Sequence, residues 1–504
     1  HRDLHSFPTR RSSDLACFIN PFGEFPLNDD WAYTHNVVSI LNGNFELSDW
    51  PAMTLISQTL YGVAWCKIFG FSFSVLRISV LILGLTGLLL LYHWLLQLTK
   101  NKIQAILVSL TLTFNPIYFS LSYTFMTDVP FLVSCLTAAF FYYKYFKTER
   151  INTIFYATLF SAIATMIRQP GILLPTSFLL LNLFFYKQNL KYIFVAAISL
   201  LVVASILFGY QHYIKSIGQM PESYSSVSLI FRALQKPGYG ILFFKRIATL
   251  SFFYGLFLLP LIIIFVPYWW KTSSKRVKIA AIFIASLILI PTIVYIQQFP
   301  TGNVFYNLGL GPKVLKDSYW RLNLSPVLPQ FVLWILYAIG AIGSFLLSFS
   351  IAAALNQFIF KQWKTKALHW HLFLFIILSG YFWFLMFGNY FFDRYFLPIL
   401  FLLPFFLLPD TFKPNRASYW IASGLLSITM LFSVAATHDY LSWNKARWEG
   451  LNQLSMAGIS PNQIDGGFEF NGWHKTGIRN PENPSKKSWY FVDDDKYIIS
   501  FGPV

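Results

Sequence analysis

Two adjacent carboxylates, Asp29 and Asp30, lie in the segment LNDDWAY near the start of the sequence. A neighbouring negative charge and burial both favour the protonated form of a carboxyl group, which suits a general base or a metal ligand. A solvated loop boundary is the alternative interpretation. His35 is the imidazole nearest to the pair along the chain. No spacing of His and Asp residues requires a metal, although paired carboxylates are compatible with a divalent cation.

A third carboxylate, Asp128, lies in the segment SLSYTFMTDVPF between two apolar stretches. A charged group at membrane depth is costly unless it is partnered or hydrated, which favours a functional role. Asp128 also directly precedes Val129 and Pro130, as a residue that caps the start of a helix would. The two interpretations are compatible, since a capping residue beside a water-filled cavity can also belong to a site.

Two arginines interrupt apolar stretches and could bind an anion. Arg168, in IRQPGILLP, breaks an apolar run that is longer than one membrane span needs. It indicates either a tight reversal between two spans or an anion ligand. Arg394, in FFDRYFLPILF, lies between Asp393 and Tyr395, so a local ion pair with Asp393 competes with anion binding.

A further group of charged and aromatic residues lies in the segment 299–327. Such residues usually anchor a chain at the membrane interface, and anion binding is the alternative. They are Lys313, Lys316, Asp317, Tyr319, Trp320 and Arg321.

The composition limits where all these residues can lie. Of 504 residues, 56% are hydrophobic and only 12% are charged, with a mean hydropathy of +0.53. A soluble domain has about 25% charged residues, so the composition excludes a soluble globular enzyme and an intrinsically disordered chain. Several apolar runs reach the roughly 20 residues that a membrane span needs. We therefore predict an all-α polytopic membrane protein.

The charge and cysteine content argue against two other kinds of site. With 38 Lys and Arg against 21 Asp and Glu, the net charge is +17, which in a soluble protein would suggest nucleic acid. In a membrane protein this excess is an orientation signal, so we expect no nucleic-acid partner. The cysteines show no paired spacing and predict neither a disulfide framework nor a zinc site. They are Cys17, Cys66 and Cys135.

The apolar runs predict about twelve membrane spans. They lie near residues 75–98, 104–124, 129–146, 152–167, 170–186, 191–213, 247–269, 278–298, 328–354, 368–389, 395–409 and 418–437. The short connections near residues 100, 147, 189, 275, 363 and 413 are rich in Lys and Arg, which predicts that they are cytoplasmic. The opposite, extracytoplasmic side then contains Asp29, Asp128, Arg168 and Arg394 together with the longest loops, which usually carry function.

We expect four regions along the chain. Residues 1–15 lack the apolar centre of a signal peptide and differ in character from the residues after them, so we interpret them as an adapter or cloning artefact. Residues 16–74 form the first extracytoplasmic loop, with a helix in the membrane interface within 51–74. The transmembrane domain extends over 75–443. Residues 444–504 change towards Gly, Asn and Pro turns and predict a small extracytoplasmic α+β segment.

We expect truncation at both ends of the chain. The segment directly after the first fifteen residues is typical of the exit of a helix into an aqueous loop, which predicts that a first membrane helix is missing upstream. The C-terminal segment ends without a polar tail. Within that segment, IDGGFEFNGW predicts either a folded cap with an aromatic core or a glycan-binding surface that uses Trp473, Asp465 and Glu469.

The predicted topology brings two acidic sites and several cations from separate loops to one face. A carboxylate base and a cationic phosphate clamp are what transfer from a lipid phosphate requires. The order of NDDWAY, IFGFSFSVLR, NPIYFSLSYTFMTDVPF and DRYFLPILFLLPF resembles the GT-C membrane glycosyltransferases of the family 39 type. The chain is most similar to dolichyl-phosphate-mannose protein mannosyltransferases, bacterial aminoarabinose transferases of lipid A and rhizobial lipopolysaccharide galacturonosyltransferases. The resemblance covers roughly residues 20–410 and is strongest before residue 190.

The resemblance implies transfer of a sugar from a polyprenyl-phosphate donor to a hydroxyl of a lipid, glycan or protein acceptor, usually with inversion. Asp29 corresponds to the residue that deprotonates the acceptor, and Asp30 to its neighbour, where protein mannosyltransferases have Glu. Asp128 corresponds to the acidic residue of the second outer loop. Arg394 and Tyr395 occupy the place of a basic–aromatic turn that would bind the donor phosphate. Further candidate phosphate ligands are Arg168, Lys316 and Arg321. No cofactor is required.

Two rival functions are consistent with a polytopic chain. A multi-pass transporter, or a flippase for lipid-linked sugars, would place ionisable residues near the bilayer midplane and often has two related halves. This chain keeps its charges at helix ends and shows no internal duplication, which favours the transferase. A non-catalytic scaffold would leave the two acidic loop sites unexplained. The compact loops indicate a bacterial inner membrane.

Overall fold

The computed structural model describes residues 19–48, 50–51, 53–185, 189–221, 238–295, 302–310, 328–361, 366–388, 391–408, 415–474 and 496–499. Within these residues the chain is almost entirely α-helical. The helices of the first half are α1 (Asp30–Leu41), α2 (Ile56–Phe69), α3 (Phe73–Thr99), α4 (Lys102–Thr113), α5 (Pro116–Leu121), α6 (Asp128–Thr148), α7 (Ile151–Ile167), α8 (Leu173–Phe185) and α9 (Leu190–Ser216).

The helices of the second half are α10 (Tyr239–Phe257), α11 (Leu259–Thr272), α12 (Lys275–Tyr295), α13 (Gln330–Lys361), α14 (Lys366–Phe387), α15 (Leu397–Leu407), α16 (Arg416–Met456) and α17 (Phe468–His474). Short 3-10 turns cover Gln169–Ile172, Asp393–Phe396 and Pro461–Gln463, and a π-type turn covers Tyr306–Leu310. Two short strands, β1 (Ile464–Asp465) and β2 (Tyr497–Ile498), pair in parallel.

Eight helices of the described part are long and apolar enough to cross a membrane. They are α3, α6, α9, α10, α12, α13, α14 and α16. Shorter apolar helices, among them α4, α7, α8 and α11, pack between them. The prediction of an all-α polytopic membrane protein is confirmed.

Two of the predicted spans are each divided into two helices. The predicted span 104–124 breaks at Asn115, whose side chain accepts hydrogen bonds from two backbone N–H groups and caps a new helix at Pro116. The predicted span 247–269 breaks at Leu258, and a proline lies in the first turn of the next helix. Because proline has no N–H to donate and restricts the residue before it, each break coincides with a proline at a helix start.

Helices α10 and α13 approach each other at two glycines. A Cβ atom added to Gly255 would collide with the backbone of Gly343 and Ser344, and one added to Gly343 would collide with the backbone of Gly255. Small residues permit such close backbone contact between membrane helices. Any larger side chain at either glycine would therefore push the two helices apart.

The residues expected to form a site lie at one end of α6 and α7. Helix α6 begins at Asp128 and continues for 21 residues, which corresponds to about 30 Å. Lys147 lies in its last turn. Helix α7 packs along α6 and ends directly before Arg168. Asp128 and Arg168 therefore share one end of the bundle, and the basic connection lies at the other.

Helix α2 has exposed apolar side chains although it is too short to cross a bilayer. Ile68 is 74% exposed and Phe69 is 62% exposed. Exposed apolar residues on a helix of 14 residues support a location in the membrane interface. That location of the segment 51–74 stays a prediction.

The C-terminal segment packs on the first loop. Helix α16 has 41 residues, so the boundary expected between residues 443 and 444 lies within one helix. The two short strands and α17 come after it, and the extracytoplasmic α+β appendage stays a prediction. Helix α17 packs against α1, the helix that begins directly after Asp29.

Candidate active site

Asp29 forms an ion pair with Arg394, which lies 365 positions later in the sequence. The Oδ2 atom of Asp29 is 2.7 Å from Nη2 of Arg394, and its Oδ1 atom accepts a hydrogen bond of 3.0 Å from the indole N–H of Trp50. Burial alone would lower the pKa of Arg394, but the adjacent Asp29 carboxylate outweighs burial and raises the pKa well above its usual value. The guanidinium group therefore stays charged. The Asp29 side chain remains 15% exposed.

Asp128 forms a second ion pair, with Arg168. The distance between Oδ1 of Asp128 and Nη2 of Arg168 is 2.9 Å, and both side chains are buried. The Nε–H group of Arg168 donates a hydrogen bond of 2.7 Å to the hydroxyl of Thr127. Within the described part of the chain, neither oxygen of Asp128 accepts an aligned hydrogen bond. The Asp128–Arg168 pair thus has hydrogen-bonding capacity left for a ligand.

The alternative role of Asp128 as a helix cap needs a correction. Thr127 occupies the capping position, and Asp128 is the first residue of α6. A carboxylate in the first turn still interacts favourably with the positive end of the helix dipole. The expected reversal at Arg168 is also present, since this residue ends α7 and a 3-10 turn begins directly after it. Both roles proposed for Arg168 are therefore compatible.

Tyr395 connects the two ion pairs. The guanidinium carbons of Arg168 and Arg394 each lie 5.3 Å from the centre of its ring. Cations at this distance are attracted to the face of an aromatic ring. Two cations, two carboxylates and one phenol ring from four separate segments of sequence consequently form one cluster. We call Asp29, Asp128, Arg168, Arg394 and Tyr395 the charged cluster.

Asp393 stabilises a loop and does not pair with the side chain of its neighbour. Its carboxylate accepts hydrogen bonds of 2.7–3.3 Å from the backbone N–H groups of residues 303–305 and one from the backbone N–H of Arg394. Burial raises the pKa of Asp393, and these bonds oppose the shift because they stabilise the charged form. The expected Asp393–Arg394 ion pair is therefore wrong, since the Arg394 side chain pairs with Asp29.

Asp30 has different partners from Asp29. Its carboxylate accepts hydrogen bonds from the backbone N–H groups of Leu27 and Phe125, and the residue is only 2% exposed. Burial raises the pKa of Asp30 to about 8, although the positive charge of Arg77 acts in the opposite direction. Asp30 thus joins the first loop to the turn before α6. A catalytic role for Asp30 stays a prediction.

Arg77 holds the segment before Asp29 in place. Its guanidinium group donates hydrogen bonds to the backbone carbonyls of Pro21 (2.6 Å) and Phe25 (2.7 Å), and its side chain is almost completely buried. Because Arg77 belongs to α3, these bonds attach the first loop to a long helix. The segment directly before Asp29 is therefore attached to α3.

An apolar groove lies beside Arg168. It lies between α6, α8, α14 and α15, and its walls include Phe131, Leu136, Leu174, Ile377, Tyr381 and Pro398. The ring centre of Phe131 is 5.9 Å from the guanidinium carbon of Arg168. A phosphate bound at Arg168 would thus have an apolar surface directly next to it. We call this space the apolar groove.

Comparison with known proteins supplies the class of the chain. Residues 63–208 match the family model of dolichyl-phosphate-mannose-protein mannosyltransferase. The matched part contains Asp128, Arg168 and the α6 wall of the apolar groove. This match supports a membrane glycosyltransferase of the GT-C type. No curated protein and no solved structure matches the chain.

Two of the predicted phosphate ligands, Lys316 and Arg321, lie outside the described residues. Among the residues that the structure does describe, no group of three or more His, Cys, Asp or Glu side chains could hold a metal ion. His35 stacks on Trp473, with ring centres 4.4 Å apart.

Several residues that position the candidate site carry little signal in the sequence. Thr127 could have been found by its place directly before Asp128. Trp50 lies 21 positions after Asp29, and nothing in LSDWPAM indicates that its indole reaches a carboxylate. Asn28 has a positive φ of 54°, which the residue type permits but does not predict.

Proposed function

We propose that the chain transfers a sugar from a polyprenyl-phosphate donor to a hydroxyl group of a lipid, glycan or protein acceptor, with inversion at the anomeric carbon. The observation that carries this proposal is the charged cluster beside the apolar groove. The cluster supplies a partly exposed carboxylate as base and two cations for a phosphate. The groove supplies an apolar wall for the hydrocarbon chain of the donor.

Asp29 acts as the general base in this mechanism. Its carboxylate takes the proton of the acceptor hydroxyl while the acceptor oxygen forms a bond to the anomeric carbon. The bond between that carbon and the phosphate oxygen breaks, and polyprenyl phosphate leaves with one additional negative charge. Arg394 and Arg168 stabilise this charge because they are fixed near the phosphate before the reaction begins.

Arg394 is shared between the base and the leaving group. The structure pairs it with Asp29 at 2.7 Å, and a donor phosphate would compete for the same guanidinium group. When Asp29 accepts the proton it loses its negative charge, while the phosphate gains one. The guanidinium group can therefore change its partner from the carboxylate to the phosphate without an uncompensated charge.

Asp128 keeps Arg168 in position for the phosphate. The pair is buried, and removal of one partner of a buried pair leaves an uncompensated charge. The ring of Tyr395 lies against both guanidinium groups and helps to hold them in place. These three residues thus supply the orientation of the donor headgroup.

We place the reaction on the extracytoplasmic face of a bacterial inner membrane. The charged cluster and the basic connections, which contain residues such as Lys100 and Lys147, lie at opposite ends of the long helices. Loops rich in Lys and Arg stay on the cytoplasmic side, which supports an outward-facing cluster. Free lipid-linked donors on that face would supply the sugar.

Transfer assays with lipid-reconstituted protein test this proposal. The wild type receives a panel of radiolabelled polyprenyl-phosphate sugars and a cell-envelope extract, and label in the extract is measured. We expect Asp29→Asn to lower the rate by about 10²- to 10⁴-fold, the usual contribution of a general base. Arg394→Ala should raise the KM for the donor as well. Asp439→Asn, an exposed residue of α16, is the control and should behave like the wild type.

The outcomes separate the base from the class of function. Full transfer by Asp29→Asn would leave the proposed transferase function intact and would assign the role of general base to Asp30 or Asp128. No transfer by the folded wild type with any donor would contradict the proposal. Movement of labelled lipid between leaflets without transfer would then favour a flippase.

A further inference from the structure

Asn28 is the point where three separate segments meet beside the proposed base. Its backbone has a φ of 54°, a left-handed conformation that asparagine adopts more readily than most residues. Its side-chain oxygen accepts a hydrogen bond of 3.2 Å from the amide group of Asn307. Its backbone N–H donates a hydrogen bond of 3.2 Å to Oε1 of Glu469. Because Asn28 directly precedes Asp29, these contacts hold the backbone of the proposed base in position.

Glu469 is itself held from the opposite side. Its Oε2 atom is 2.9 Å from Nη2 of Arg447, and both side chains are largely buried. Arg447 belongs to α16 and Glu469 to α17. Cations and hydrogen-bond donors both stabilise a buried carboxylate, and Glu469 obtains a cation from Arg447 and a donor from Asn28. One carboxyl group therefore connects the C-terminal segment to the backbone of the first loop.

Helix α17 also reaches the proposed base by a second route. The ring of Phe468 contacts the indole of Trp50, with ring centres 5.3 Å apart. That indole donates its N–H to Oδ1 of Asp29 at 3.0 Å. Adjacent residues of α17 thus support Asp29 through its backbone and through its side chain.

The side chains that could have bound a glycan are engaged inside the segment. The ring of Trp473 stacks on His35. The carboxylate of Asp465 accepts hydrogen bonds from the side chain of Asn471 and the backbone of Gly467. These contacts favour the folded cap over a glycan-binding surface.

We propose that Glu469 is a positioning residue for Asp29. Through Asn28 it sets the distance between Asp29 and Arg394, so the C-terminal segment 457–474 completes the active site without touching the substrate. This inference rests on the proposed role of Asp29 as base. A shift of about 1 Å at a reacting group can lower a rate by about 100-fold, which gives the scale of the expected effect.

Three variants separate positioning from simple stabilisation of the fold. Glu469→Ala removes both the ion pair and the acceptor for Asn28. Glu469→Gln keeps a side chain of the same length with an acceptor oxygen, and provides a readout where the alanine variant fails to fold. The double variant Arg447→Glu/Glu469→Arg keeps an ion pair but presents a donor to the N–H of Asn28. Glu449→Ala, an exposed residue on α16, is the matched control.

Kinetics of the reconstituted protein give the first readout. We expect kcat to fall about 100-fold in Glu469→Ala and in the exchanged pair, and less in Glu469→Gln, with the KM for the donor unchanged in all three. Glu449→Ala should match the wild type. Recovery of kcat by the exchanged pair would show that only the ion pair matters and would overturn the proposal. A lower melting temperature with unchanged kcat per folded molecule would do the same.

Hydrogen exchange of the backbone amides gives a second readout that does not depend on turnover. The amides of residues 27–33 should exchange faster in Glu469→Ala than in the wild type and in Glu449→Ala. Unchanged exchange would show that Glu469 does not hold this loop. If the wild type transfers no sugar while exchange responds as expected, the proposed function fails and the connection between Glu469 and the Asp29 loop stands.

Discussion

Asp29 and Asp30 illustrate how adjacent residues of one type obtain different chemistry. Successive residues at the start of a helix point about 100° apart, because the helix has 3.6 residues per turn. The Asp29 side chain consequently pairs with Arg394 where it is partly exposed, whereas that of Asp30 accepts backbone N–H groups in the interior. Only the first carboxylate has both solvent access and a neighbouring cation, so we assign the base to Asp29.

The raised pKa of Asp30 predicts that stability falls as the pH rises from about 4 to about 8. The pKa is about 8 in the folded protein and about 4 in an unfolded chain, so between these values folding takes up a proton. Each pH unit then lowers the free energy of unfolding by up to about 1.4 kcal/mol. Below pH 4 both states are protonated and the effect vanishes. Thermal unfolding in detergent from pH 4 to pH 9 measures the slope.

A comparison with two variants isolates the contribution of Asp30. Asp30→Asn cannot titrate, so its melting temperature should decline less between pH 4 and pH 8 than that of the wild type. Asp439→Asn removes an exposed carboxylate and should keep the wild-type slope. Identical slopes for the wild type and Asp30→Asn would contradict the raised pKa.

At the scale of elements, the site depends on short turns and one short helix that place its residues against the long helices. The 3-10 turn before α15 places Arg394, while Asp393 in the same turn attaches residues 303–305. Helix α17 reaches across to α1 and supports Asn28. Each of these elements is short, and each gains its order from the hydrogen bonds and packing that it forms with a longer neighbour.

Two glycine variants test the packing of α17. A Cβ atom added to Gly472 would collide with the indole ring of Trp31, which is 2% exposed. We expect Gly472→Ala to lower stability by about 1–3 kcal/mol, the usual cost of overpacking. Gly424 in α16 has open space around it, so Gly424→Ala should be neutral or stabilise by up to about 1 kcal/mol. Thermal unfolding measures the stability of both variants. Equal melting temperatures for Gly472→Ala and Gly424→Ala would contradict the close contact between Gly472 and Trp31.

At the scale of the whole molecule, orientation decides which compartment supplies the acceptor. Long helices place the charged cluster and the basic connections at opposite ends, about 30 Å apart for a helix of the length of α6. Because a carboxylate base and a lipid phosphate must meet at one membrane surface, sugar transfer on the outer face requires the donor to be present there.

Cysteine labelling tests the orientation directly. Cys66 and Cys135 are buried, and Cys17 is replaced by Ser. We expect an impermeant maleimide to label Asn44→Cys in intact cells and Arg150→Cys only after permeabilisation, since both positions are exposed. The reverse pattern would place the charged cluster in the cytoplasm and contradict the proposed face.

The class of this protein can be read from its amino-acid sequence alone. Apolar runs of about 20 residues must form helices in a bilayer, because every backbone polar group needs an internal partner there. Local signals also sufficed to single out Asp29, Asp128, Arg168, Arg394 and Tyr395. The family match over residues 63–208 supports the class inferred from the order of the short motifs.

The pairing of these residues, by contrast, depends on how the helices pack. The sequence suggested a pair between the neighbours Asp393 and Arg394, but the arginine pairs with Asp29 across 365 positions. Glu469 likewise reaches Asn28 across 441 positions. Helix periodicity and capping act over a few residues and can be read locally. Ion pairs between loops require the tertiary structure, because helix packing is the sum of many weak contacts between distant parts of the chain.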